Sequence, residues 1–424
     1  MQVFKFGGAS VKNVESIKNL VRIVETHKNE PLLIVISAID KTTNRLESLL
    51  NAYFNQQGNV HEIFEDIKRF HYSIVNDLFI DKSHSIFNDI ANTFVEIDWI
   101  IEEEPQDEYD YLYDQIVSIG EMLSTKIVSA YLQQQGLPAK WLDARNYVHT
   151  DNTYRDAQVD WAKTEESIRR DIPSLVEKSI PVTQGFIGGT SENFTTTLGR
   201  EGSDYSAAIF AACLNAKSVT IWKDVLGVLN ADPKWFALTE LIPELSYLDA
   251  IELSYYGASV IHPKTIKPLE NKEITLNVRS FIDIENKGTA IQKTRNSLSV
   301  PSFIFKINQA MISILPKDFS FIVEDNLSHI FNLFHKHKVK INMMHNSAVS
   351  FSVSVDYHED KVLALIEELN KNYKVTYIAD LELVTIRYYN QQTIDRVLID
   401  KEIILEVKDS YTCQMLIRNK VVKN

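Results

Sequence analysis

Short, nearly continuous apolar runs alternate with longer amphipathic stretches over the first 295 residues of the chain. Apolar runs without polar alternation are typical of strands that helices cover on both faces. The stretches between them have helical periodicity, as in 122–135, which Gly136 and Pro138 end. The pattern predicts an α/β domain on a mostly parallel sheet sandwiched by helices. The predicted strands are Gln2–Phe6, Leu32–Ile36, 140–144, 181–186, 218–222 and 275–281.

The element order changes after a polar linker near residue 296. Strand, helix, two strands, helix and strand are predicted at 311–316, 326–337, 339–344, 349–355, 359–370 and 375–378. This βαββαβ order predicts an open antiparallel sheet of the ferredoxin-like type. Further apolar runs at 382–389, 403–407 and 413–417 predict a shortened second copy, to which 302–307 contributes a strand. We therefore expect domains at 1–295, 311–380 and 381–424, with 296–310 as linker and added strand.

The helical stretch 51–113 carries a local run of acidic residues at 102–110. We interpret this stretch as a solvated surface insertion, because the acids lack the spacing of a cation-binding loop.

The overall composition indicates a folded, water-soluble protein, with 45% hydrophobic and 24% charged residues. Its net charge of -13 opposes binding to nucleic acid or to anionic membranes. No apolar run approaches the roughly 18 residues of a membrane span, and the start MQVFKFGG leaves no room for a signal peptide. Cys213 and Cys413 have no metal-ligand spacing, which favours free thiols in a reducing compartment. We expect a cytoplasmic protein.

Lys5 lies near the end of the first predicted strand, and Gly7, Gly8 and Ser10 follow that strand and precede a helix. Backbone N–H groups freed by the two glycines can approach an anion at the helix N-terminus, and the lysine adds charge. The same pattern is also typical of a tight turn. A phosphate site and a turn both fit these residues.

Two further segments combine charged residues with helix starts or strand ends. Arg200 suits bidentate binding of a carboxylate or phosphate, while Ser203 and Asp204 beside it fit either ligand binding or helix capping. A third segment follows the strand 218–222 at the expected ligand edge of the sheet, although a surface turn would look alike. Its charged residues are Lys223, Asp224, Asp232 and Lys234.

Together the three segments resemble the aspartate kinases of the amino-acid kinase superfamily, whose motifs read KFGGTS, LGRGGSD and WTDVDGVYTADPR. Further matches are Ser37-Ala38 with Thr43-Asn44, and the segments 118–121, 181–188 and 262–265. The resemblance continues through 339–356 into the paired ACT regulatory domains of that family. It implies that 1–295 is a kinase domain and that 311–380 and 381–424 are ACT domains.

The resemblance implies transfer of the ATP γ-phosphoryl group to the β-carboxylate of L-aspartate with Mg²⁺, at the start of lysine, threonine and methionine biosynthesis. Lys5 would stabilise the transferred group, and Asp204 would orient Lys5 or a metal-bound water. The implied aspartate-binding residues are Arg200 for the α-carboxylate, Glu121 for the ammonium, and Thr43 and Ser203 for the side chain. The implied nucleotide-binding residues are Gly7, Gly8, Ser10, Lys223, Asp224, Asp232 and Lys234.

The sequence departs from the motifs of the family at Ala9, Glu201, Lys223, Leu229 and Ser259. Glu201, in place of the middle glycine of LGRGGSD, is the most consequential departure. A carboxylate beside a phosphate site is costly unless Lys5, Arg200 or a metal offsets its charge.

The implied ACT domains bind an amino-acid end product at a dimer interface, with Asp325, Asn346 and Ser347 as expected effector contacts. Lysine, threonine and no effector at all remain open, and we expect a homodimer or higher homo-oligomer. One alternative is a related kinase such as an acetylglutamate kinase, which lacks the ACT region. Another is a catalytically silent effector-binding protein that retains the kinase fold, although Lys5, Arg200 and Asp204 are all present.

Overall fold

The computed structural model describes residues 1–236, 238–258, 261–294, 300–318 and 320–420. Ser259 and part of the expected linker, 296–299, lie outside the described residues. The described residues fall into two compact units. The first unit contains those of Met1–Val228, Leu241–Ile251 and Val260–Ser297. The second contains those of Leu229–Glu240, Glu252–Ser259 and Leu298–Asn424.

The first unit is built on an 8-stranded sheet in the order β3-β4-β2-β1-β7-β9-β10-β8, which is parallel except between β9 and β10. A short antiparallel pair, β5 and β6, stands apart from it. The described strands are β1 (Gln2–Phe6), β2 (Leu32–Ile36), β3 (Ala139–Leu142), β4 (Ile180–Gln184), β5 (Ile187–Gly189), β6 (Thr195–Thr197), β7 (Ser218–Lys223), β8 (Glu244–Leu245), β9 (Thr275–Ser280) and β10 (Thr289–Ile291).

Helices flank this sheet, which confirms the predicted α/β architecture. Strands β2 and β4 are buried along their whole length, as expected where helices cover both faces of a sheet. The helices are α1 (Val14–His27), α2 (Thr42–Phe54), α3 (Val60–Leu78), α4 (Ile86–Ile101), α5 (Tyr109–Val117), α6 (Ile119–Gln134), α7 (Trp161–Val176), α8 (Gly202–Leu214), α9 (Tyr247–Tyr256) and α10 (Pro263–Asn271). Residues 252–256 of α9 belong to the second unit. None of the helices in the described part of the chain is both long and apolar enough to cross a membrane.

The interpretation of 51–113 as a surface insertion is wrong. Helices α3 and α4 bury Phe64, Ile67, Phe94 and Ile97 in the main hydrophobic core of the first unit. The acidic residues that suggested an insertion are concentrated in the connection between α4 and α5 and at the start of α5. The apolar positions on either side recur at helical spacing and pack inward.

The second unit is built on a 6-stranded antiparallel sheet in the order β12-β13-β11-β14-β16-β15, which confirms the predicted antiparallel sheet. Its strands are β11 (Ser302–Pro316), β12 (Ile341–Asn346), β13 (Phe351–Asp356), β14 (Tyr373–Arg387), β15 (Lys401–Lys408) and β16 (Thr412–Asn419). The helices added here are α11 (Glu324–Lys336), α12 (Glu359–Leu369) and α13 (Gln391–Val397).

Two long strands run through both halves of this sheet. The predicted strands 302–307 and 311–316 are one strand, β11, and β14 likewise joins two predicted strands. The β11–β14 pairing shifts register around Gln309, where Asn308 and Asp380 have left-handed backbone conformations with φ of 55° and 56°. Residues of this kind let a bulge interrupt the pairing without ending the strand.

Candidate active site

Lys5 and Lys223 lie at the carboxyl ends of two neighbouring parallel strands, β1 and β7. The first turn of α8 brings Asp204 between them. The Nζ atom of Lys5 is 2.6 Å from Oδ1 of Asp204, and the Nζ atom of Lys223 is 3.5 Å from Oδ2. Both Lys5 and Asp204 are buried. One carboxylate therefore holds two ammonium groups at the edge of the sheet where ligands of open α/β folds commonly bind.

The charge state of Asp204 follows from these two partners. Burial alone would raise its pKa, but the charges and hydrogen bonds of Lys5 and Lys223 outweigh burial, so the pKa lies below its ordinary value. Asp204 is therefore ionised at neutral pH, and the three groups together carry one net positive charge.

The turn after β1 is packed closely against the loop after β2. A Cβ atom at Gly8 would lie 2.7 Å from the carbonyl oxygen of Asp40 and 2.9 Å from that of Ala38. Only glycine fits this approach without a shift of the backbone. Ser10 is buried, and its hydroxyl donates to the carbonyl of Trp222 over 3.0 Å, which ties the turn to β7. Phosphate binding by Gly7, Gly8 and Ser10 stays a prediction.

Glu121 is a buried carboxyl group in the first turn of α6, with 2% of its surface exposed. Its Oε1 atom accepts a hydrogen bond of 3.1 Å from the backbone N–H of Ala38. Its Oε2 atom has no hydrogen-bond partner among the residues that the structure describes. Burial raises the pKa of Glu121 to about 8, although the N–H of Ala38 and the charge of Lys5 oppose this shift. The side chain is therefore mostly protonated at neutral pH.

A cavity of about 450 Å³ connects these groups. The predicted site residues that line it are Lys5, Thr43, Glu121, Arg200, Ser203, Asp204 and Lys223. Arg200 is exposed, and no described residue forms an ion pair with it. The cavity thus combines a cationic group available to a ligand with a buried neutral carboxyl group.

Tyr113 and Arg155 also line this cavity, and the sequence analysis missed both. The guanidinium of Arg155 stacks 4.5 Å from the ring centre of Tyr113 and pairs with Asp110 over 3.1 Å. Buried Asp114 fixes the Arg155 backbone by accepting its N–H, and it also accepts 2.7 and 2.8 Å hydrogen bonds from Thr197. Neither Tyr113 nor Arg155 lies in a glycine-rich motif or at the end of a predicted strand. No local feature of the sequence therefore indicated that they line the site.

The remaining predicted site residues lie outside this cavity. Asp224 is exposed directly after β7. Asp232 and Lys234 belong to the second unit, where Lys234 N–H donates to the Asp232 carboxylate over 2.9 Å. The expected effector residues also lie in the second unit, with Asp325 in the first turn of α11, Asn346 at the end of β12 and Ser347 directly after it. Their roles stay predictions.

Glu201 precedes α8 in a left-handed backbone conformation, with φ 53° and ψ 27°. Glycine adopts this conformation without steric cost, which gives a backbone reason for the glycine of the motif LGRGGSD. The Oε2 atom of Glu201 is buried and has no hydrogen-bond partner among the described residues. Glu201 therefore carries a conformational cost that a glycine at this position would not have.

We expect Glu201→Gly to raise the free energy of unfolding by about 1 kcal/mol, because it relieves the left-handed strain. Urea unfolding at neutral pH measures the effect. Glu192→Gly is the matched control, since Glu192 is an exposed loop residue without a left-handed backbone. That variant should be neutral or slightly destabilised. Equal unfolding midpoints for Glu201→Gly and the wild type would contradict the strain argument.

Comparison with known proteins agrees with this geometry. The amino acid kinase family matches residues 1–280. Aspartokinase of Chlamydia trachomatis is 32% identical over 313 residues, which cover 73% of this chain and 69% of that protein. Chloroplastic aspartokinase 1 of Arabidopsis thaliana is 31% identical over 364 residues, which cover 84% of this chain. The match covers 63% of the plant protein, less than two thirds of its length.

Two crystal structures of Escherichia coli aspartokinase III share the fold, one in complex with lysine and aspartate and the other with aspartate and ADP. They align with TM-scores of 0.82 and 0.81 at 26% identity, covering 98% of this chain and 95% and 96% of those chains. The chain therefore belongs to the amino acid kinase family and, within it, to the aspartokinases.

Proposed function

We propose that this chain is an aspartate kinase that transfers the γ-phosphoryl group of ATP to the β-carboxylate of L-aspartate. The product is 4-phospho-L-aspartate, at the first step of lysine, threonine and methionine biosynthesis. The observation that carries the proposal is the cavity in which Lys5, Lys223 and Asp204 meet Glu121 and Arg200. The aspartate and ADP bound by the related E. coli enzyme support the same choice of substrates.

The acceptor carboxylate is ionised at neutral pH, so the reaction needs no general base. The enzyme must hold the acceptor carboxylate in line with the γ-phosphate of ATP, although both are anions. It must also neutralise the charge of the transferred phosphoryl group. Lys5 serves the second purpose, and Asp204 keeps its ammonium in place over a distance of 2.6 Å. Backbone N–H groups of the turn at Gly7 and Gly8 and the side chain of Ser10 are proposed to bind the phosphates.

The chemistry of Mg²⁺ fits this set of donors. When bound to the triphosphate, Mg²⁺ neutralises further charge, and Asp204 is the carboxylate that would hold a water of its coordination shell. Mg²⁺ is commonly held by substrate phosphates, waters and one or two carboxylates rather than by an all-protein cage. Within the described ranges, no cluster of three or more metal-ligating side chains occurs.

Aspartate recognition is assigned to residues that line the cavity. Arg200 binds the α-carboxylate, because its guanidinium can donate two parallel hydrogen bonds. Glu121 binds the ammonium through its unpartnered oxygen. Thr43 and Ser203 hold the side-chain carboxylate with their hydroxyls. For the nucleotide, we propose Lys223, Asp224, Asp232 and Lys234 as further contacts.

We further propose that residues 1–295 form the catalytic domain and that 311–380 and 381–424 are ACT regulatory domains, with 296–310 as linker and added strand. The continuous antiparallel sheet of the second unit supports two ferredoxin-like halves. The lysine bound by the E. coli relative favours an amino-acid effector, lysine or threonine, at Asp325, Asn346 and Ser347. The protein is proposed to be cytoplasmic and to form a homodimer or higher homo-oligomer through these domains.

The proposal is tested by ATP-dependent acyl-phosphate formation, trapped as the hydroxamate. Aspartate, glutamate and N-acetylglutamate are offered separately with MgATP. We expect turnover with aspartate alone. Turnover with N-acetylglutamate instead would make the chain a different carboxylate kinase, and nucleotide binding without turnover on any acceptor would make it a silent effector-binding protein.

A further inference from the structure

Two departures from the aspartate-kinase motifs line the same cavity. Lys223 stands where the motif WTDVDGVYTADPR has a threonine, and Glu201 stands where LGRGGSD has a glycine. The motif residues are both uncharged. This chain therefore carries one additional positive and one additional negative charge within a cavity of about 450 Å³.

Lys223 shares the carboxylate of Asp204 with Lys5. Lys5 contacts Oδ1 and Lys223 contacts Oδ2, so the two ammonium groups stand at the same end of the sheet on neighbouring strands. The Lys223 side chain retains 22% exposure, against 9% for that of Lys5. Lys223 is thus the more open of the two ammonium groups, and a polyphosphate in the cavity can reach it. A threonine offers neither the charge nor the length.

Glu201 repels an anionic ligand, whereas Lys223 attracts it. Its side chain is half-buried, and its Oε2 atom is buried without a hydrogen-bond partner in the described part of the chain. Charges within one poorly solvated cavity interact much more strongly than the same charges in bulk water. By itself, Glu201 would therefore lower the affinity of the cavity for the phosphates of a nucleotide.

We infer that Lys223 binds the phosphate chain of the nucleotide and offsets Glu201, so that the two residues function as a matched pair. With both present, Lys5 and Lys223 balance Asp204 and Glu201, and the charge of Arg200 is left for the ligands. Loss of Lys223 alone would leave the carboxylates in excess over the lysines. The inference rests on the proposed function in taking ATP as the phosphoryl donor.

The test is a double-mutant cycle on the full-length protein, with K223T, E201G and K223T/E201G beside the wild type. Isothermal titration with ADP gives the affinity, and steady-state assays give kcat and the KM for ATP. We expect K223T to weaken ADP binding about thirtyfold and to raise the KM for ATP. We expect the double variant to bind ADP within about threefold of the wild type, because the removal of Glu201 restores the charge balance.

Two further variants test whether the loss of affinity in K223T comes from the lost charge or from a change in structure. K223R should keep most of the ADP affinity, since it keeps the charge. K217T removes an exposed lysine just before β7 and should bind ADP as the wild type does. Urea unfolding of every variant checks that the fold is retained.

Two results would overturn the inference: K223T with wild-type ADP affinity, or a double variant that binds ADP as weakly as K223T does. Either result can be obtained while the wild type is an active aspartate kinase, so the proposed function would stand. Absence of ADP binding by the wild-type protein would instead overturn both.

Discussion

Lys5→Ala is expected to lower kcat for aspartate phosphorylation by about a thousandfold, with the fold retained. Groups that neutralise charge in a phosphoryl-transfer transition state commonly contribute this much or more. Lys5 is 7% exposed and fixed 2.6 Å from Asp204, so its ammonium needs little reorganisation during the reaction. Lys223 still pairs with Asp204 in the variant, which limits the cost of leaving that carboxylate buried.

Hydroxamate formation at saturating ATP and aspartate measures this loss, and urea unfolding verifies the fold. Lys12→Ala is the matched control, because Lys12 is exposed just after the same turn. It should keep wild-type activity. Lys5→Arg should not restore activity, since the bulkier guanidinium replaces a buried ammonium that Asp204 holds at short range. A Lys5→Ala protein with a tenth or more of the wild-type kcat would contradict the assignment.

The positions of Lys5 and Asp204 were predictable because strand ends and helix starts leave strong local signals. A buried apolar run followed by two glycines indicates where β1 stops. The helix α8 begins at Gly202 after Glu201, so the expected capping role of Ser203 is wrong, although the helix itself lies where it was predicted. The sequence alone could not show that Lys5 and Asp204 meet. Their distance depends on the packing of α8 against β1, which is a non-local property.

The sequence-based predictions failed where they relied on local composition, because composition does not show how a segment packs in the fold. The acids after α4 suggested a surface insertion, whereas Phe64 and Phe94 on the adjoining helices belong to the main core. The strands β11 and β14 were each predicted as two because polar residues interrupt the pattern at a register shift. The left-handed backbone conformation of residue 201 was also not predicted, because a glutamate in the sequence does not indicate a positive φ.

Glu121 presents a different problem, because the group proposed to bind the ammonium of aspartate is mostly protonated in the free site. Its pKa of about 8 results mainly from burial, and only the ionised form can form an ion pair with the ammonium. Aspartate binding must therefore remove a proton from Glu121. Below pH 8, the fraction of ionised Glu121 rises about tenfold per pH unit, and the apparent affinity for aspartate rises with it.

The burial of Glu121 also makes the stability of the folded protein depend on pH. The pKa of Glu121 is raised from 4.5 to about 8 on folding, so its protonated form favours the folded state. That contribution is complete below about pH 4.5 and is lost as the pH rises through 8. Glu121→Gln, which cannot ionise, should therefore exceed the wild type in stability at pH 9, with a smaller difference at pH 5. Urea midpoints at the two pH values measure this.

Steady-state kinetics on the wild type and Glu121→Gln test the proton coupling directly. For the wild type, we expect the KM for aspartate to fall about tenfold from pH 6 to pH 7 and to level off above pH 8, while the KM for ATP lacks this slope. Glu121→Gln should raise the KM at pH 8 about a hundredfold, because it loses the ion pair, and should remove the slope. Glu25→Gln, an exposed change on α1, should retain the wild-type profile. A wild-type KM for aspartate that stays constant from pH 6 to pH 8 would show that Glu121 is not the group that binds the ammonium.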